Sequence, residues 1–201
     1  MVKIPGFYWL LGLLGAIILV SAFLLMEPYK IKGSEITTAA PAPLFTLESS
    51  QGDMYSLKDH QGKFLILFFG YTYCPDICPT TLYKLKTVEE ELGKNADEVE
   101  IVFITVDPKR DTQEKLANYL NSFDDSFFGL TGDEPALERV WKDYGVFRQE
   151  NLTDGSKDYL VDHSTRLYLI DKNGNLKVTY YVDVPVSDLV SDIKYLIGKS
   201  G

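Results

Sequence analysis

Cysteine and histidine are scarce in this sequence, which has two of each among its 201 residues. Two cysteines are too few for a disulfide-stapled scaffold. Positive charge is not in excess either, since the formal net charge is −9; this argues against nucleic acid as a partner. The sequence also lacks internal repeats and a glycine-rich phosphate loop after a strand. The few cysteines and histidines are therefore the residues to examine for chemistry.

One long apolar run lies near the N-terminus. Residues 7–26 carry no charge and no proline, and a helix of that length spans about 30 Å, the thickness of a bilayer's hydrocarbon core. We predict one transmembrane anchor here, after a short cytoplasmic leader of residues 1–6. A cleaved signal peptide is the alternative, but its apolar part is usually shorter and ends in a small-residue cleavage site.

The anchor predicts where the rest of the chain lies. Lysines flank the run on both sides, so the positive-inside rule does not decide the orientation. We expect the N-terminus inside, with a soluble domain facing the periplasm or the cell exterior. The leader lacks an Arg- and Ser-rich transit peptide, which favours the cytoplasmic membrane of a bacterium. Residues 27–42 are predicted to be a linker and residues 43–201 one domain.

Hydrophobic patterning predicts an α/β domain. The apolar runs at residues 64–69 and 99–106 are typical of strands buried on both faces, and residues 79–92 between them have helical spacing. Strand, helix and strand in this order form a βαβ unit with parallel strands. The other predicted elements are a hairpin around Gly52, a helix from Asp111, a strand at 127–130, a helix at 134–144, strands at 165–170 and 176–182, and a helix at 186–197.

Local signals accompany these elements. Asp111 and Glu114 have capping-box spacing, and Asp133 is predicted to cap the following helix. A polar stretch containing Asp154-Gly155 is expected to be a hairpin or loop, whereas the Asn-Gly turn at 171–175 predicts a β-hairpin. The order of elements is that of a thioredoxin-like fold, in which helices flank a mixed central sheet, with an N-terminal β-hairpin extension.

Both cysteines directly follow the first buried strand. Pro79 is tolerated in the first turn of a helix, so this helix is predicted to begin near Cys78, with Cys74 on the turn before it. The positive end of the helix dipole then stabilises both thiolates. Three residues separate the cysteines, against two in thioredoxin-type oxidoreductases. Thiolates are soft ligands that select copper(I), with zinc as a competitor.

A third ligand has two histidine candidates. His60 lies in a polar stretch and is expected to be an exposed loop residue. His163 directly precedes a buried strand that is predicted to neighbour the cysteine turn, and Asp162 or Ser164 could orient its ring. On the residues alone, His163 is as consistent with a structural role as with a ligand.

Three ordered motifs resemble the Sco/SenC family. They are GYTYCPDICPT at residues 70–80, TVDPKRDT at 105–112 and VDHS at 161–164. The resemblance implies a copper chaperone for the dinuclear copper site of cytochrome c oxidase subunit II, with Cys74, Cys78 and His163 as ligands. Copper(I) is the expected form, with copper(II) left open. Other periplasmic copper chaperones or thiol reductants are further expected partners.

The resemblance leaves a second function open, so enzymatic activity is undecided. In a thiol-disulfide oxidoreductase Cys74 would attack and Cys78 resolve, keeping the oxidase cysteines reduced. Against a general reductase stand the three-residue spacing and the DHS sequence at 162–164, where thioredoxins have a cis-proline. A peroxiredoxin-type peroxidase is a third alternative, and residues 72–75 match it only loosely.

The motifs also contain residues without a firm role. Many relatives have a histidine where this chain has Tyr73, which puts the surroundings and redox poise of the site in doubt. Asp76 lies between the cysteines, where it could contact a partner or only solvate the loop. Asp107 and Asp111 are expected to form a turn and a helix cap.

Overall fold

The computed structural model describes residues 6–24, 27–152 and 159–200. The chain divides into two units, Met1–Lys30 and Ile31–Gly201, and the first contains helix α1 (Gly6–Leu24). Judged by length and hydropathy, no helix among the described residues qualifies as a membrane span. Residues 1–5 of the leader, residues 25–26 of the anchor and the Asp154-Gly155 segment lie outside the described residues.

The described part of the second unit is built around a mixed sheet. The strands are β1 (Ser34–Pro41), β2 (Thr46–Ser49), β3 (Met54–Ser56), β4 (Phe64–Gly70), β5 (Val99–Thr105), β6 (Phe128–Thr131), β7 (Arg148–Leu152), β8 (Tyr159–His163), β9 (Arg166–Ile170) and β10 (Asn175–Tyr181). Eight of them form one sheet in the order β1-β10-β9-β4-β5-β6-β2-β3, while β7 pairs with β8. Strands β4, β5 and β6 are parallel and the other pairs are antiparallel. The predicted mixed sheet is confirmed.

The described part of the domain also contains four α-helices. They are α2 (Ile77–Leu92), α3 (Gln113–Leu120), α4 (Glu134–Asp143) and α5 (Val186–Lys199). The apolar stripe predicted for α2 is buried, and Gly93, with φ of +58°, follows the last residue of the helix. The long predicted elements differ from the observed ones by at most about two residues at their ends, the usual uncertainty of helix and strand boundaries.

Strand β4 is covered on both faces. Phe68 packs edge-on against Phe103 of β5, which in turn approaches Tyr119 of α3. The next residue, Phe69, packs on the opposite face against Tyr144, just beyond α4, and Tyr168 of β9. Successive side chains of a strand point to opposite faces, so a continuous apolar run belongs to a strand with a core on either side, as predicted.

The predicted linker needs correction, because residues 34–41 form edge strand β1, which pairs with β10. The buried carboxylate of Asp192 on α5 accepts hydrogen bonds from the backbone N–H groups of Lys32 and Gly33, at 2.9 and 3.2 Å, and so fixes the entry to this strand. Small residues and threonines show no apolar alternation, and the pairing therefore depends on backbone bonds and on a distant aspartate that no local pattern reveals.

The helix caps are partly as predicted. Asp133 caps α4, since its carboxylate accepts the N–H of Ala136 at 2.7 Å. Helix α3 is capped by Thr112, whose hydroxyl accepts the N–H of Lys115 at 3.2 Å. The predicted capping role of Asp111 is wrong, because its side chain is buried elsewhere.

Both predicted hairpins are confirmed. Strands β2 and β3 pair around a turn in which Gly52 has a φ of +103°. Strands β9 and β10 pair around a turn closed by the N–H of Asp171, which donates to the Asn175 carbonyl at 2.9 Å. Gly174 in this second turn has a φ of +79°, which a residue without Cβ adopts at little cost.

Candidate metal centre

The cysteine turn, residues 71–78, joins the end of β4 to the start of α2. Gly70, the last residue of β4, leaves room for it: a Cβ there would lie 2.9 Å from the Cys78 sulfur and 2.7 Å from the Phe103 ring. The N–H of Cys74 donates to the Tyr71 carbonyl at 3.2 Å. Cys78 is the second residue of α2. The predicted placement of the two cysteines about the helix start is therefore what the structure shows.

The two thiols have unlike surroundings. Both are free, with Cys74 partly exposed and Cys78 fully buried. The thiol of Cys78 donates to the Cys74 sulfur, and together with the backbone N–H groups of Asp76 and Cys78 it lowers the pKa of Cys74 to about 5. The same bond and burial raise the pKa of Cys78. Two coupled groups of this kind share one proton, so Cys74 is the thiolate and Cys78 the thiol.

His163, at the end of β8, lies beside the buried sulfur. Its Nε2 atom is 3.9 Å from the Cys78 sulfur, and its Nδ1 atom is 3.0 Å from the Ser164 carbonyl. A carbonyl only accepts hydrogen bonds, so Nδ1 carries the proton and Nε2 presents its lone pair to the cysteines. Burial lowers the pKa of His163, which favours the neutral ring. The Tyr71 ring packs edge-on against it.

Of Asp162 and Ser164, the two residues predicted to orient the His163 ring, Ser164 does so through its backbone carbonyl. The Asp162 carboxylate instead accepts a hydrogen bond from Asn151 at 2.5 Å. Cys74 and His163 line an open groove of about 310 Å³. Asp76 lies exposed at its edge and its side chain makes no capping bond to α2.

The buried carboxylate of Asp111 is hydrogen-bonded to the cysteine turn. Asp111 accepts hydrogen bonds from the N–H and hydroxyl of Thr72, at 3.1 and 2.6 Å, and from the hydroxyl of Thr105 at 2.7 Å. It is fully buried. Parallel strands end at the same edge of a sheet, and the motifs at 70–80 and 105–112 each follow such a strand. Their contact was therefore foreseeable, although we did not predict it.

A stacked arginine links the cysteine turn to β8. The Arg110 guanidinium lies over the rings of Tyr159 and Tyr73, 3.7 and 4.5 Å from their centroids. Its Nε atom donates to the buried Asp107 carboxylate at 2.5 Å, and the Tyr159 hydroxyl donates to the same carboxylate at 2.6 Å. Tyr73, beside Cys74, is thus part of this cluster around Arg110. Asp107, which was expected to be a turn residue, therefore also binds Arg110 and Tyr159 through its side chain.

The second histidine is packed rather than exposed. The His60 ring stacks on Tyr55 at a centroid distance of 3.8 Å, and its Nδ1 atom lies 2.7 Å from a Glu100 carboxylate oxygen. Its side chain is 22% exposed, so the expectation of an exposed loop residue is wrong. None of its described contacts reaches the cysteine turn.

Two thiols and an imidazole at the carboxyl edge of a thioredoxin-like sheet define a class of proteins that handle thiols or soft metal ions. Within that class, the chain belongs to the SCO1/SenC family, whose model matches residues 34–198. This agrees with the resemblance carried by the three motifs.

Individual relatives agree with the family assignment. The chain is 38% identical over 151 residues to the SCO2-like protein of Rickettsia prowazekii, covering 75% of this chain and 74% of that protein. It is 36% identical to ScoI of Bradyrhizobium japonicum with copper bound, with a TM-score of 0.72 over 78% of this chain and 99% of the other. Apo Sco1 of Thermus thermophilus gives 35% identity and a TM-score of 0.76 over 85% and 99%.

Proposed function

We propose that this protein is a copper metallochaperone. It binds copper(I) through Cys74, Cys78 and His163 and delivers it to, or prepares, the dinuclear copper site of cytochrome c oxidase subunit II. The observation that carries the proposal is the approach of the His163 Nε2 lone pair to the Cys78 sulfur, with Nδ1 tied to a backbone carbonyl. Histidines that bind metals usually donate their other ring N–H in this way.

The donor set suits copper(I). Two sulfurs and an imidazole are ligands that a soft ion prefers. With zinc-like bond lengths and an angle near 120°, a metal ion holds its S and N ligands about 3.8 Å apart, close to the 3.9 Å found between Cys78 and His163. No group of three or more His, Cys, Asp or Glu side chains in the described ranges is already spaced to hold a metal ion. Binding by all three donors therefore requires some side-chain adjustment.

The relatives support copper as the cargo. The structures of the Bradyrhizobium japonicum and Arabidopsis thaliana ScoI proteins, and one of yeast Sco1, have copper bound. The first two are 36% and 34% identical to this chain. The acceptor on subunit II and the three named ligands are our own extension to this protein.

Location is part of the proposal. The uncharged run at residues 7–26 would anchor the chain in a bacterial cytoplasmic membrane and place the copper site on the outer side, where the oxidase site is assembled. Membrane fractionation and protease protection of the full-length chain test this. Recovery in the soluble fraction, or a site shielded from external protease in spheroplasts, would exclude it.

A thiol-disulfide oxidoreductase is the second candidate. The partly exposed thiolate of Cys74 is the form that attacks a substrate disulfide, and the protonated Cys78 beside it would then resolve the mixed disulfide. The low pKa of Cys74 favours this role as much as metal binding. The imidazole beside Cys78 is what favours the metal.

One preparation can discriminate the two functions. The reduced full-length chain in mild detergent is titrated with Cu(I) against a chromophoric chelator and assayed for turnover of glutathione disulfide. We expect about one tightly held copper per chain and slow turnover. Absence of copper binding with rapid turnover would overturn the chaperone. In cells, gene deletion should lower oxidase activity and added copper should restore it, whereas rescue by a thiol reductant alone would favour the reductase.

A further inference from the structure

The Asp111 carboxylate accepts two hydrogen bonds from one residue of the cysteine turn, Thr72. Thr72 donates to it through both its N–H and its hydroxyl, at 3.1 and 2.6 Å. A third donor, the Thr105 hydroxyl at the end of β5, lies 2.7 Å away. All three partners donate, which is the pattern of an ionised carboxylate acting only as an acceptor. Burial raises the pKa of Asp111, and the bonds from Thr72 and Thr105 oppose that rise.

Thr72 occupies a decisive place in the turn. The N–H of Cys74 donates to the Tyr71 carbonyl, which makes Thr72 and Tyr73 the two central residues of this β-turn. The Cys74 sulfur in turn accepts the N–H of Cys78 at 3.4 Å. Fixing the backbone and side chain of Thr72 therefore fixes where the Cys74 sulfur lies relative to the start of α2.

We propose that Asp111 is a positioning residue that acts through Thr72, holding the cysteine turn so that Cys74 meets Cys78 and His163. It thereby sets how tightly the site binds Cu(I) and how readily Cys74 and Cys78 form a disulfide. The first consequence rests on the proposed copper function, and the second does not need copper. Outer hydrogen-bond partners of this kind typically contribute about 10–100-fold to metal affinity.

The chain offers a matched control for Asp111. Asp192 is also fully buried and also accepts hydrogen bonds from backbone N–H groups and a hydroxyl, those of Lys32, Gly33 and Tyr180. Its bonds hold the entry to β1 instead of the cysteine turn. Asp192→Asn therefore reports the cost of changing a buried carboxylate to an amide without touching Thr72.

The experiment compares Asp111→Asn, Thr72→Val, Thr72→Ser and Asp192→Asn in the full-length chain. Cu(I) affinity is measured by chelator competition, and the thiol-disulfide equilibrium in glutathione buffers. In that equilibrium the Cys74 thiolate and the Cys78 thiol lose two electrons and one proton as their sulfurs join, and oxidised glutathione takes up these two electrons, that proton and one more from water to become two reduced molecules. Asp111→Asn and Thr72→Val should each weaken Cu(I) binding about tenfold or more and shift the equilibrium.

The controls separate positioning from stability. Thr72→Ser keeps the hydroxyl and should keep wild-type affinity and equilibrium, and Asp192→Asn should lower only the melting temperature. Wild-type values in Asp111→Asn and Thr72→Val, or equal losses in Asp192→Asn, would overturn the proposal. If Asp111→Asn fails to fold, the Thr72 pair decides. If the wild type itself binds no Cu(I), the proposed function fails, and the disulfide equilibrium alone decides on Asp111.

Discussion

The guanidinium of Arg110 lies 3.7 Å from the centre of the Tyr159 ring, which stands on the strand that ends at His163. It also lies over the ring of Tyr73, next to Cys74, 4.5 Å from the ring centre. A single planar cation thus joins the two segments that carry the proposed ligands. Planarity matters here, because a guanidinium stacks on aromatic rings and a lysine ammonium does not.

Replacing Arg110 by lysine should separate these segments. Arg110→Lys keeps the charge beside Asp107 but loses the stack, so we expect the free energy of unfolding to fall by about 1–2 kcal/mol and Cu(I) affinity to fall with it. Chemical denaturation and chelator competition measure the two effects. The control is Arg166→Lys, whose guanidinium stacks on the exposed Tyr181 at 4.4 Å. An equal change in both variants would contradict the prediction.

The two histidines provide a direct test of the ligand set. His163→Ala should lower Cu(I) affinity by more than about tenfold, since loss of a ligand should cost at least as much as loss of an outer partner. His60→Ala removes the stack on Tyr55 and the contact with Glu100, so it should lower stability and leave Cu(I) affinity unchanged. Unchanged affinity in His163→Ala would remove this residue from the site.

Alkylation should distinguish the cysteines and report the pKa of Cys74. A thiolate is the reactive form, and with a pKa of about 5 Cys74 is ionised throughout the neutral range. Its rate with iodoacetamide should therefore be flat from about pH 6 to 8 and fall below about pH 5. Buried, protonated Cys78 should react much more slowly. Mass spectrometry of the labelled chain resolves the two sites.

The cause of the low pKa can be tested in the same assay. The largest effect on Cys74 is the hydrogen bond from the Cys78 thiol, so Cys78→Ala should raise the pKa of Cys74 and make its alkylation rise with pH across the neutral range. In urea both cysteines of the wild type should react alike. A rate for native Cys74 that climbs between pH 6 and 8 would refute the shared proton.

Gly70 tests how closely the turn is packed. In Gly70→Ala the new methyl would meet Phe103 at 2.7 Å and the Cys78 sulfur at 2.9 Å, so we expect a loss of about 1–3 kcal/mol in the free energy of unfolding and faster alkylation of Cys78. Gly198→Ala is the matched control, because a methyl there meets nothing within 4 Å and improves helix propensity in α5. Equal melting temperatures for the two variants would contradict this reading.

The regular elements of the domain were predictable because their signals are local. An uninterrupted apolar run identifies β4, and apolar residues at helical spacing identify α2. Strand β1 was not predictable, since residues 34–41 carry no apolar alternation and their entry is held by Asp192, about 160 positions away. Thr112 and Asp111 both suit a helix N-cap, and only the burial of Asp111 beneath Thr72 decides between them.

For the site, the sequence alone determined that Cys74 and Cys78 act together, that they lie about the start of α2, and that the family motifs are present. These follow from proline chemistry, helix ends and the spacing of residues along the chain. Only the tertiary structure decided that His163 faces Cys78, that Cys74 holds the charge and that Asp111 supports the turn. The reason is physical: these features depend on burial and on contacts between segments dozens of residues apart, and the local sequence pattern indicates neither.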